Sequence, residues 1–308
     1  MRTLLDSLKL IRLPNLMLIS GCQLLVHYLI LVPSFSGPIW PDPLSQGLWL
    51  LVISTLFLTC GGYLINDYYD VEIDRINHPA TTLVGTFVTA KAVLRLYVII
   101  TFVGLLAGLL AAKQAGAIWL TGFPFGIAVA LWWYSAKLKK VPFWGNLVVA
   151  LLTGLSVMLV WIFDRCAALH TGATPVSFAS HLVWAYAGFA FLMNLIRELV
   201  KDIQDVEGDK ACGCRTLPVL WSVRSLKVFI FLLAGITLLG IGGAIAYLAV
   251  EQQYIACGYA ILVMTPAWSV FFIRLSKAKQ KRHYRDLSNI LKLMILAGIL
   301  SIPLLFIY

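Results

Sequence analysis

The stretch SLKVFIFLLAGITLLGIGGAIAYL, residues 225–248, carries a single charged side chain, Lys227. Its apolar residues neither alternate, as in a half-buried strand, nor form a stripe, as on an amphipathic surface helix. About 20 apolar residues in a helix are enough to cross the hydrocarbon core of a bilayer. The stretch is therefore predicted to be a transmembrane helix.

Eight further blocks of this kind occur in the chain of 308 residues, of which 60% are hydrophobic and only 12% charged. A soluble domain is about a quarter charged, so this composition excludes a soluble fold. Helices satisfy every backbone polar group within lipid. The other blocks run roughly over 16–35, 47–66, 91–112, 115–134, 141–162, 181–199, 254–274 and 288–307. The predicted fold is all-α and polytopic, with about nine transmembrane helices in a single domain, 1–308.

Lysine and arginine set the predicted orientation, because the cytoplasmic segments of membrane proteins are rich in them. With nine helices and a cytoplasmic N-terminus, only Lys113 and Arg165 of the 24 basic residues fall on the opposite side. Topology and affinity for anionic membrane lipid explain the net charge of +10, so no nucleic-acid partner is expected. We predict an integral protein of the plasma (inner) membrane whose functional site lies on the cytoplasmic side.

Most of the 14 acidic residues fall in two short segments, 66–74 and 198–209, which follow the second and sixth apolar blocks. If each helix continues past its block, the acidic residues of each segment share one face. They are Asp67, Asp70 and Asp74 in the first segment, and Glu198, Asp202, Asp205 and Asp209 in the second. Like charges at such spacings repel by about 2 kcal/mol per pair, so bound cations are expected to neutralise them.

The available ligand atoms favour a hard cation. Both segments offer carboxylates, the first adds the amide oxygen of Asn66, and neither contains His or Cys. This set is typical of Mg²⁺, which completes its shell with water and phosphate. Two such stripes facing one cavity are predicted to hold Mg²⁺ around a diphosphate. Cys212 and Cys214 have no second pair and no neighbouring His, so they are weak evidence for another metal.

Basic and aromatic side chains near these segments are candidates for binding the rest of such a substrate. Lys201 lies inside an acidic segment, where topology does not require a positive charge. Lys139 and Lys140 can donate to phosphate oxygens, although membrane topology explains either lysine equally well. Tyr134 is either an interfacial anchor or a ring that stabilises an allylic cation.

Several motifs together resemble one known family. The segment Asn66-Asp67-x-x-Asp70-x-x-x-Asp74 is similar to the NDxxDxxxD motif, and Asp205-x-x-x-Asp209 to the DxxxD motif, of the UbiA superfamily of intramembrane prenyltransferases. Further similar segments are Arg12-Leu13-Pro14-Asn15, Tyr134-Ser135-x-x-Leu138-Lys139-Lys140 followed by Gly145-Asn146, Lys201-Asp202-x-x-Asp205-x-x-Gly208-Asp209, and Arg215-Thr216-Leu217-Pro218. The resemblance extends from about residue 8 to the last helix.

The resemblance implies nine helices around a central cavity and Mg²⁺-dependent transfer of a prenyl group from an isoprenyl diphosphate to a lipophilic acceptor. The metal ligands that it implies are Asn66, Asp70, Asp74, Asp205 and Asp209. The substrate contacts expected are Asn15, Asp67, Arg75, Lys139, Lys140, Asn146 and Glu198. The residues expected at the chemistry are Tyr134, near the allylic carbon, with Lys201 and Asp202.

The second acidic segment looks most like the branch of the family that prenylates geranylgeranylglyceryl phosphate, with geranylgeranyl diphosphate as donor. An aromatic acceptor of quinone biosynthesis, such as a hydroxybenzoate or a dihydroxynaphthoate, remains open. An alternative of another class is a divalent-cation transporter. Transport is disfavoured because both acidic segments lie on one membrane face and the helix interiors contain almost no ionisable groups.

One departure from the family pattern affects the loop after the first acidic segment. After Asn77-His78-Pro79 the family usually has an Arg-Pro pair before a glycine, whereas this chain reads Ala80-Thr81-Thr82-Leu83-Val84-Gly85. The change puts one expected diphosphate contact, and the shape of the loop, in question.

Overall fold

The computed structural model describes residues 7–34, 43–77, 82–171 and 177–306. Over these residues, nine helical segments are long and apolar enough to cross a membrane. Their bounds are Leu13–Ser34, Gly47–Tyr69, Ala90–Gln114, Ile118–Ala136, Trp144–Leu169, Phe178–Ala211, Val223–Val250, Tyr254–Lys277 and Lys281–Leu305. The prediction of an all-α polytopic fold with nine transmembrane helices is confirmed. The cytoplasmic N-terminus and the single domain stay predictions.

The regular elements are α-helices joined by short π and 3₁₀ turns. In chain order they are α1 (Leu13–Leu25), α2 (Pro43–Tyr69), α3 (Val71–Asn77), α4 (Ala90–Gln114), α5 (Gly122–Ala136), α6 (Trp144–Thr171), α7 (Ser177–Ala211), α8 (Leu217–Leu220), α9 (Val223–Val250), α10 (Tyr254–Tyr259), α11 (Thr265–Lys277) and α12 (Lys281–Leu300). A π-helical turn, Val26–Leu31, extends α1, and another, Ala260–Met264, joins α10 to α11. Leu138–Lys140 form a 3₁₀ turn after α5.

Helix α7 carries the second acidic segment as an uninterrupted helix. It has 35 residues, which corresponds to about 52 Å at roughly 1.5 Å per residue. The hydrocarbon core of a bilayer is only about 30 Å thick. The helix therefore continues well beyond the apolar block 181–199, as the predicted continuation through 198–209 required.

The first acidic segment is not one continuous helix, and that part of the prediction is wrong. Helix α2 ends at Tyr69, Asp70 is non-helical, and α3 begins at Val71. The N–H of Asp70 still donates to the carbonyl of Asn66 at 3.0 Å, and the N–H of Asp74 to that of Asp70 at 2.8 Å. Asn and Asp side chains form local hydrogen bonds that compete with helix. Here the Asn66 amide donates to the Asp70 carboxylate.

The chain forms two compact units, and the first comprises the residues up to Lys139 together with Ser156–Ser180. Helices α2 and α4 pack closely in this unit. Oγ of Ser54 donates to the carbonyl of Gly104 at 2.8 Å. A Cβ on Gly104 would lie 3.0 Å from Cγ of Leu58. Small residues permit such close contact between membrane helices.

A buried ionisable pair also lies in the first unit. Nδ1 of His27, in the π-helical turn after α1, is 2.6 Å from Oδ2 of Asp164 on α6. The two side chains are 0% and 5% exposed. A buried carboxylate is costly unless it is paired and hydrogen-bonded, so this contact ties α1 to α6 within the unit.

The second unit comprises Lys140–Leu155 and His181–Tyr308. Its apolar core is built largely from α11 and α12, where Trp268, Phe271 and Leu275 are fully buried with Leu287 and Leu291. The core supports α7, whose apolar face contributes a series of buried side chains to the same cluster: Met193, Ile196, Leu199, Val200 and Ile203. The acidic face of α7 is therefore presented by a helix whose opposite side is held in the core.

Several basic residues lie within the helical segments that are long enough to cross a membrane. Among them, Arg197 lies in Phe178–Ala211 and Lys292 in Lys281–Leu305, and both fall inside the predicted apolar blocks 181–199 and 288–307. Positive-inside topology does not account for a cation inside a span.

Cys212 lies in the turn that follows α7, and Cys214 is buried just beyond it. Neither cysteine forms a disulfide bond.

Candidate active site

Asp70, in the first acidic segment, accepts hydrogen bonds from two side chains. Nζ of Lys139 donates to its Oδ1 at 2.6 Å, and Nδ2 of Asn66 donates to its Oδ2 at 2.8 Å. Nζ of Lys139 also lies 3.4 Å from Oδ1 of Asn66. The side chains of Lys139 and Asp70 are only 9% and 15% exposed. The structure thus brings three of the predicted site residues, an amide, a carboxylate and an ammonium, into one small group.

Asp67, the neighbouring acid on the same helix end, is paired with Arg12. A guanidinium nitrogen of Arg12 donates to Oδ1 of Asp67 at 2.6 Å. The guanidinium also lies over the ring of Tyr63, 4.7 Å from its centroid, in cation–π geometry. Arg12 has a positive φ of 52° as the N-cap of α1. Strained conformations of non-glycine residues cluster at functional sites.

The surroundings of Arg12 favour its protonated, positively charged form. Burial lowers its pKa, but the negative charge of Asp67 and the nearby Tyr63, Tyr134 and Asp74 raise it, and the net pKa lies above its ordinary value. Arg12 therefore stays protonated and can neutralise Asp67 at any working pH. The same interactions place Tyr134, at the end of α5, within electrostatic reach of the Arg12–Asp67 pair.

Sequence reasoning selected Asn15 from the Arg12–Asn15 motif, whereas Arg12 is the residue that contacts the acidic segment. Asn15 is half-buried in the first turn of α1, and no hydrogen bond among the described residues connects its side chain to the carboxylates. The charge of Arg12 was the feature of the sequence that could have identified it. A guanidinium binds a carboxylate more strongly than the side-chain amide of Asn15 does.

The remaining residues of the first unit lie around the start of the 82–89 loop. Oγ1 of Thr82 donates to the backbone carbonyl of Asp74 at 3.1 Å, which anchors the loop to α3. Arg75 is exposed, and a Cβ on Gly85 would lie 3.3 Å from its guanidinium. Gly85 has a φ of +87° and begins a tight turn closed by its N–H on the carbonyl of Val88. Residues 78–81, where the missing Arg-Pro pair would lie, are outside the described residues.

In the second unit, Glu198 accepts hydrogen bonds from two cations. Nζ of Lys201 lies 3.0 Å from both of its carboxylate oxygens. A guanidinium nitrogen of Arg197 lies 3.2 Å from Oε1. Glu198 is 8% exposed. Sequence reasoning selected Glu198 and Lys201 as site residues but did not anticipate Arg197.

Further along α7, two carboxylates are held by neutral donors. Nδ2 of the buried Asn146, in the first turn of α6, donates to Oδ2 of Asp202 at 2.9 Å. Oγ1 of Thr216 donates to Oδ2 of Asp209 at 2.9 Å. Thr216 belongs to the Arg215–Pro218 motif, which the sequence singled out without naming a site residue in it.

Asp205 and Lys140 are the two remaining predicted site residues of the second unit. Asp205 lies on the helix face of Glu198 and Asp202, at spacings of seven and three residues. Lys140 has an exposed side chain, and its backbone carbonyl accepts a hydrogen bond from the N–H of Arg215 at 3.0 Å. The structure thus attaches Lys140 to the loop after α7 through its backbone.

The donor set fits Mg²⁺ in its chemistry. In the part of the chain that the structure describes, no three His, Cys, Asp or Glu side chains are close enough to hold a metal ion by themselves. Mg²⁺ in phosphate sites usually takes only one or two protein carboxylates and completes its octahedron with water and phosphate oxygens. Asn66 and Asp70 in the first unit, and Asp205 and Asp209 in the second, could supply such ligands.

Comparison with known proteins decides the family. The family model of the UbiA prenyltransferase family matches residues 28–301 of the chain. The chain belongs to the UbiA prenyltransferase family. It is 33% identical over 240 residues to digeranylgeranylglyceryl phosphate synthase of Thermococcus kodakarensis, covering 76% of this chain and 77% of that one. The corresponding protein of Thermococcus sibiricus is 37% identical over 177 residues, but only 57% of each chain is covered.

Solved structures agree with a UbiA fold over nearly the whole length. A structure of digeranylgeranylglyceryl phosphate synthase matches with a TM-score of 0.60 at 23% identity, covering 98% of each chain. A UbiA homolog from Archaeoglobus fulgidus bound to DMAPP and Mg²⁺ matches with a TM-score of 0.58 at 16% identity. That match covers 97% of this chain and 99% of the homolog. The expected resemblance to UbiA proteins is confirmed.

Proposed function

We propose that this integral membrane protein is a Mg²⁺-dependent prenyltransferase. It transfers the prenyl group of an isoprenyl diphosphate, with geranylgeranyl diphosphate as the best candidate, to a lipophilic acceptor. The observation that carries the proposal is the largely buried group of Asn66, Asp70 and Lys139, in which amide and carboxylate oxygens that could bind Mg²⁺ lie beside an ammonium that could donate hydrogen bonds to phosphate. Membership of the UbiA family and the DMAPP and Mg²⁺ bound by the Archaeoglobus homolog support it.

In the first unit, two of the acidic side chains already have cationic partners within the protein. Asp70 and Asp67 are each balanced by one cation in the protein, Lys139 and Arg12. When Mg²⁺ is bound, it neutralises the diphosphate and makes it a better leaving group. Lys139 can then donate a hydrogen bond to a phosphate oxygen, while Asp70 would serve as a metal ligand. Each of the two charged side chains would keep a partner of opposite charge.

The remaining residues orient the substrate and protect the reaction. Arg12 holds the carboxylate of Asp67 in a fixed position, and Asn146 does the same for Asp202. Tyr134 lies near the Arg12–Asp67 pair and is the candidate for stabilising positive charge on the allylic carbon. The apolar helices exclude water that would quench such a cation.

The acceptor best supported is a geranylgeranylglyceryl-phosphate-type lipid. The support is the identity to archaeal digeranylgeranylglyceryl phosphate synthases and the matching second acidic segment. Aromatic acceptors are the alternative. We further propose that the protein resides in the plasma (inner) membrane with the carboxylates at the cytoplasmic face, because that orientation leaves only two basic residues outside.

The test is release of diphosphate from geranylgeranyl diphosphate by purified protein, with Mg²⁺ or with EDTA, against a panel of acceptors. The panel contains geranylgeranylglyceryl phosphate, hydroxybenzoate and dihydroxynaphthoate. Mg²⁺-dependent release with the glycerol phosphate lipid, and a prenylated product of matching mass, is the expected result. Absence of release with every acceptor, together with Mn²⁺ uptake by proteoliposomes, would replace the proposal by transport.

A further inference from the structure

Arg197 on α7 and Lys292 on α12 are two of the basic residues in those helical segments of the second unit that are long and apolar enough to cross a membrane. Ionisable side chains within a span are rare because of their desolvation cost, and they usually mark a functional site. Neither residue is among the metal ligands predicted in the two acidic segments. The question is what these two positive charges bind.

The packing of α7 against α12 places the two cations opposite each other. Oη of Tyr186 lies 2.7 Å from Oγ of Ser301. A Cβ on Gly298 would come within 2.5 Å of the ring of Phe189, so the helices are in direct contact there. In this antiparallel register, moving along α7 to Arg197 corresponds to moving back along α12 to Lys292. The two side chains lie within electrostatic range of each other.

The carboxylate bonded to Arg197 is shared with a second cation. Glu198 is the carboxylate bonded to Arg197, at 3.2 Å, and it is shared with Lys201, whose Nζ lies 3.0 Å from both oxygens. Glu198 therefore contacts two cations directly, and the next carboxylate along α7, Asp202, accepts a hydrogen bond from Asn146. Lys292 lies within electrostatic range of Arg197, so an added anion would be favoured between these two cations.

Two buried donors at the same place have no acceptor among the described residues. They are Nε of Arg197 and Nδ2 of Asn194. Asn194 is only 8% exposed and lies three residues before Arg197, on the adjoining face of α7. Buried donors are nearly always hydrogen-bonded. Donor atoms alone, from an amide and from cations, define a site for an anion with several oxygens.

We infer that Asn194, Arg197 and Lys292 bind the phosphate group of the lipid acceptor. The inference rests on the proposed function and names the chemical class that it selects: a lipid carrying a phosphate monoester. A phosphate has enough acceptor oxygens for all three side chains, and a lipid tail suits the surrounding apolar helices. The site lies on the helix that carries the second acidic segment, with Arg197 about 12 Å, or two turns, before Asp205.

The experiment compares acceptor binding by purified full-length protein and by Arg197→Gln and Lys292→Gln variants. The ligand is geranylgeranylglyceryl phosphate, and its phosphate-free alcohol is the control ligand. Loss of one charged hydrogen-bonding partner corresponds to a fall in affinity of about 10- to 100-fold. We expect this loss, and a matching rise in acceptor KM, for the phosphate only. The KM for the prenyl diphosphate should stay within about twofold of wild type.

Further variants and ligands serve as controls for this binding experiment. Arg274→Gln removes an exposed cation from α11 of the same unit and should leave acceptor binding unchanged. Arg197→Lys keeps the charge if Arg197→Gln fails to fold, and it should retain more affinity than Gln. Wild-type acceptor affinity in folded Arg197→Gln would overturn the inference. The inference would also be overturned if the Arg197→Gln and Lys292→Gln variants lost binding only to phosphatidylglycerol vesicles and not to geranylgeranylglyceryl phosphate. The site would then bind the headgroup of a bulk membrane lipid.

Failure of the inference and failure of the proposed function give different results. If wild-type protein releases no diphosphate with any acceptor, the prenyltransferase proposal fails, whatever the variants bind. If wild-type protein is active and both variants keep the wild-type KM for the phosphorylated acceptor, the prenyltransferase proposal stands and only the inference fails.

Discussion

Nζ of Lys139, in the 3₁₀ turn after α5, lies 2.6 Å from Oδ1 of Asp70, in the break between α2 and α3. The two residues are 69 positions apart in the chain, and both are largely buried. In the proposed function, this ammonium exchanges its carboxylate partner for a phosphate oxygen and so couples substrate binding to metal binding. Positive-inside topology alone does not require a contact of this kind.

Replacement of Lys139 should weaken binding of the prenyl diphosphate. In Lys139→Met we expect the KM for geranylgeranyl diphosphate to rise by about 10- to 100-fold, since a charged hydrogen bond is lost. The matched control is Lys137→Met, which removes an exposed lysine two residues away. Steady-state kinetics of diphosphate release measure both. Equal KM values for the two variants would show that Lys139 serves topology alone.

Removal of the charge of Asp70 should abolish turnover while leaving the fold intact. We expect Asp70→Asn to lower kcat by about 100-fold or more, the usual effect of removing one preorganised electrostatic contact. Glu72→Gln is the control, because Glu72 is exposed and lies off the face of Asp67 and Asp70. Circular dichroism and melting temperature check folding. Activity near wild type in folded Asp70→Asn would refute its assignment as a metal ligand.

The Arg12–Asp67 pair should contribute to both stability and activity. Arg12→Gln removes the hydrogen bond at 2.6 Å and the cation–π contact with Tyr63. Because the contact is only partly buried, we expect a loss of about 1–2 kcal/mol in the free energy of unfolding. Asn15→Ala, in the next turn of the same helix, should cost less. A larger effect on activity from Asn15→Ala than from Arg12→Gln would reverse our choice between the two residues.

The buried His27–Asp164 pair should behave as a unit. Asp164→Leu leaves His27 buried without its partner, and removing one member of a buried pair costs about 3–5 kcal/mol. The double variant His27→Leu/Asp164→Leu should recover a large part of that loss. Arg165→Gln, at an exposed neighbouring position, is the control. Thermal unfolding in detergent measures the wild type, these three variants and the single variant His27→Leu, and a loss in the double variant equal to the sum of the two single losses would contradict the coupling.

The membrane fold was predictable because each apolar block is long and nearly free of charge. The predicted block 225–248 corresponds to the span Val223–Val250, and 91–112 to Ala90–Gln114. The break at Asp70 was not predictable from periodicity. It depends on a local side-chain hydrogen bond between Asn66 and Asp70, and a pattern of spacings does not show whether such a bond forms.

Site residues that cluster in the sequence could be predicted from it. Site residues that come together only through helix packing could not. The acidic residues were visible from their clustering in a chain of low charge. Arg12 was overlooked because its partner Asp67 lies 55 residues away. Lys292 was attributed to topology because its relation to Arg197 arises only when α12 packs against α7. Long-range contacts of this kind carry no signal in a single sequence.

Metal-dependent diphosphate release tests the central claim most directly. Purified wild-type protein, Asp205→Asn and the control Glu207→Gln are each supplied with geranylgeranyl diphosphate and geranylgeranylglyceryl phosphate. Glu207 is an exposed acid two residues from Asp205. We predict that Mg²⁺ supports release by wild type and Glu207→Gln, that EDTA abolishes it, and that folded Asp205→Asn is inactive even with Mg²⁺. Release that persists in EDTA, or at the wild-type rate in Asp205→Asn, would contradict a metal-dependent prenyltransferase built on these carboxylates.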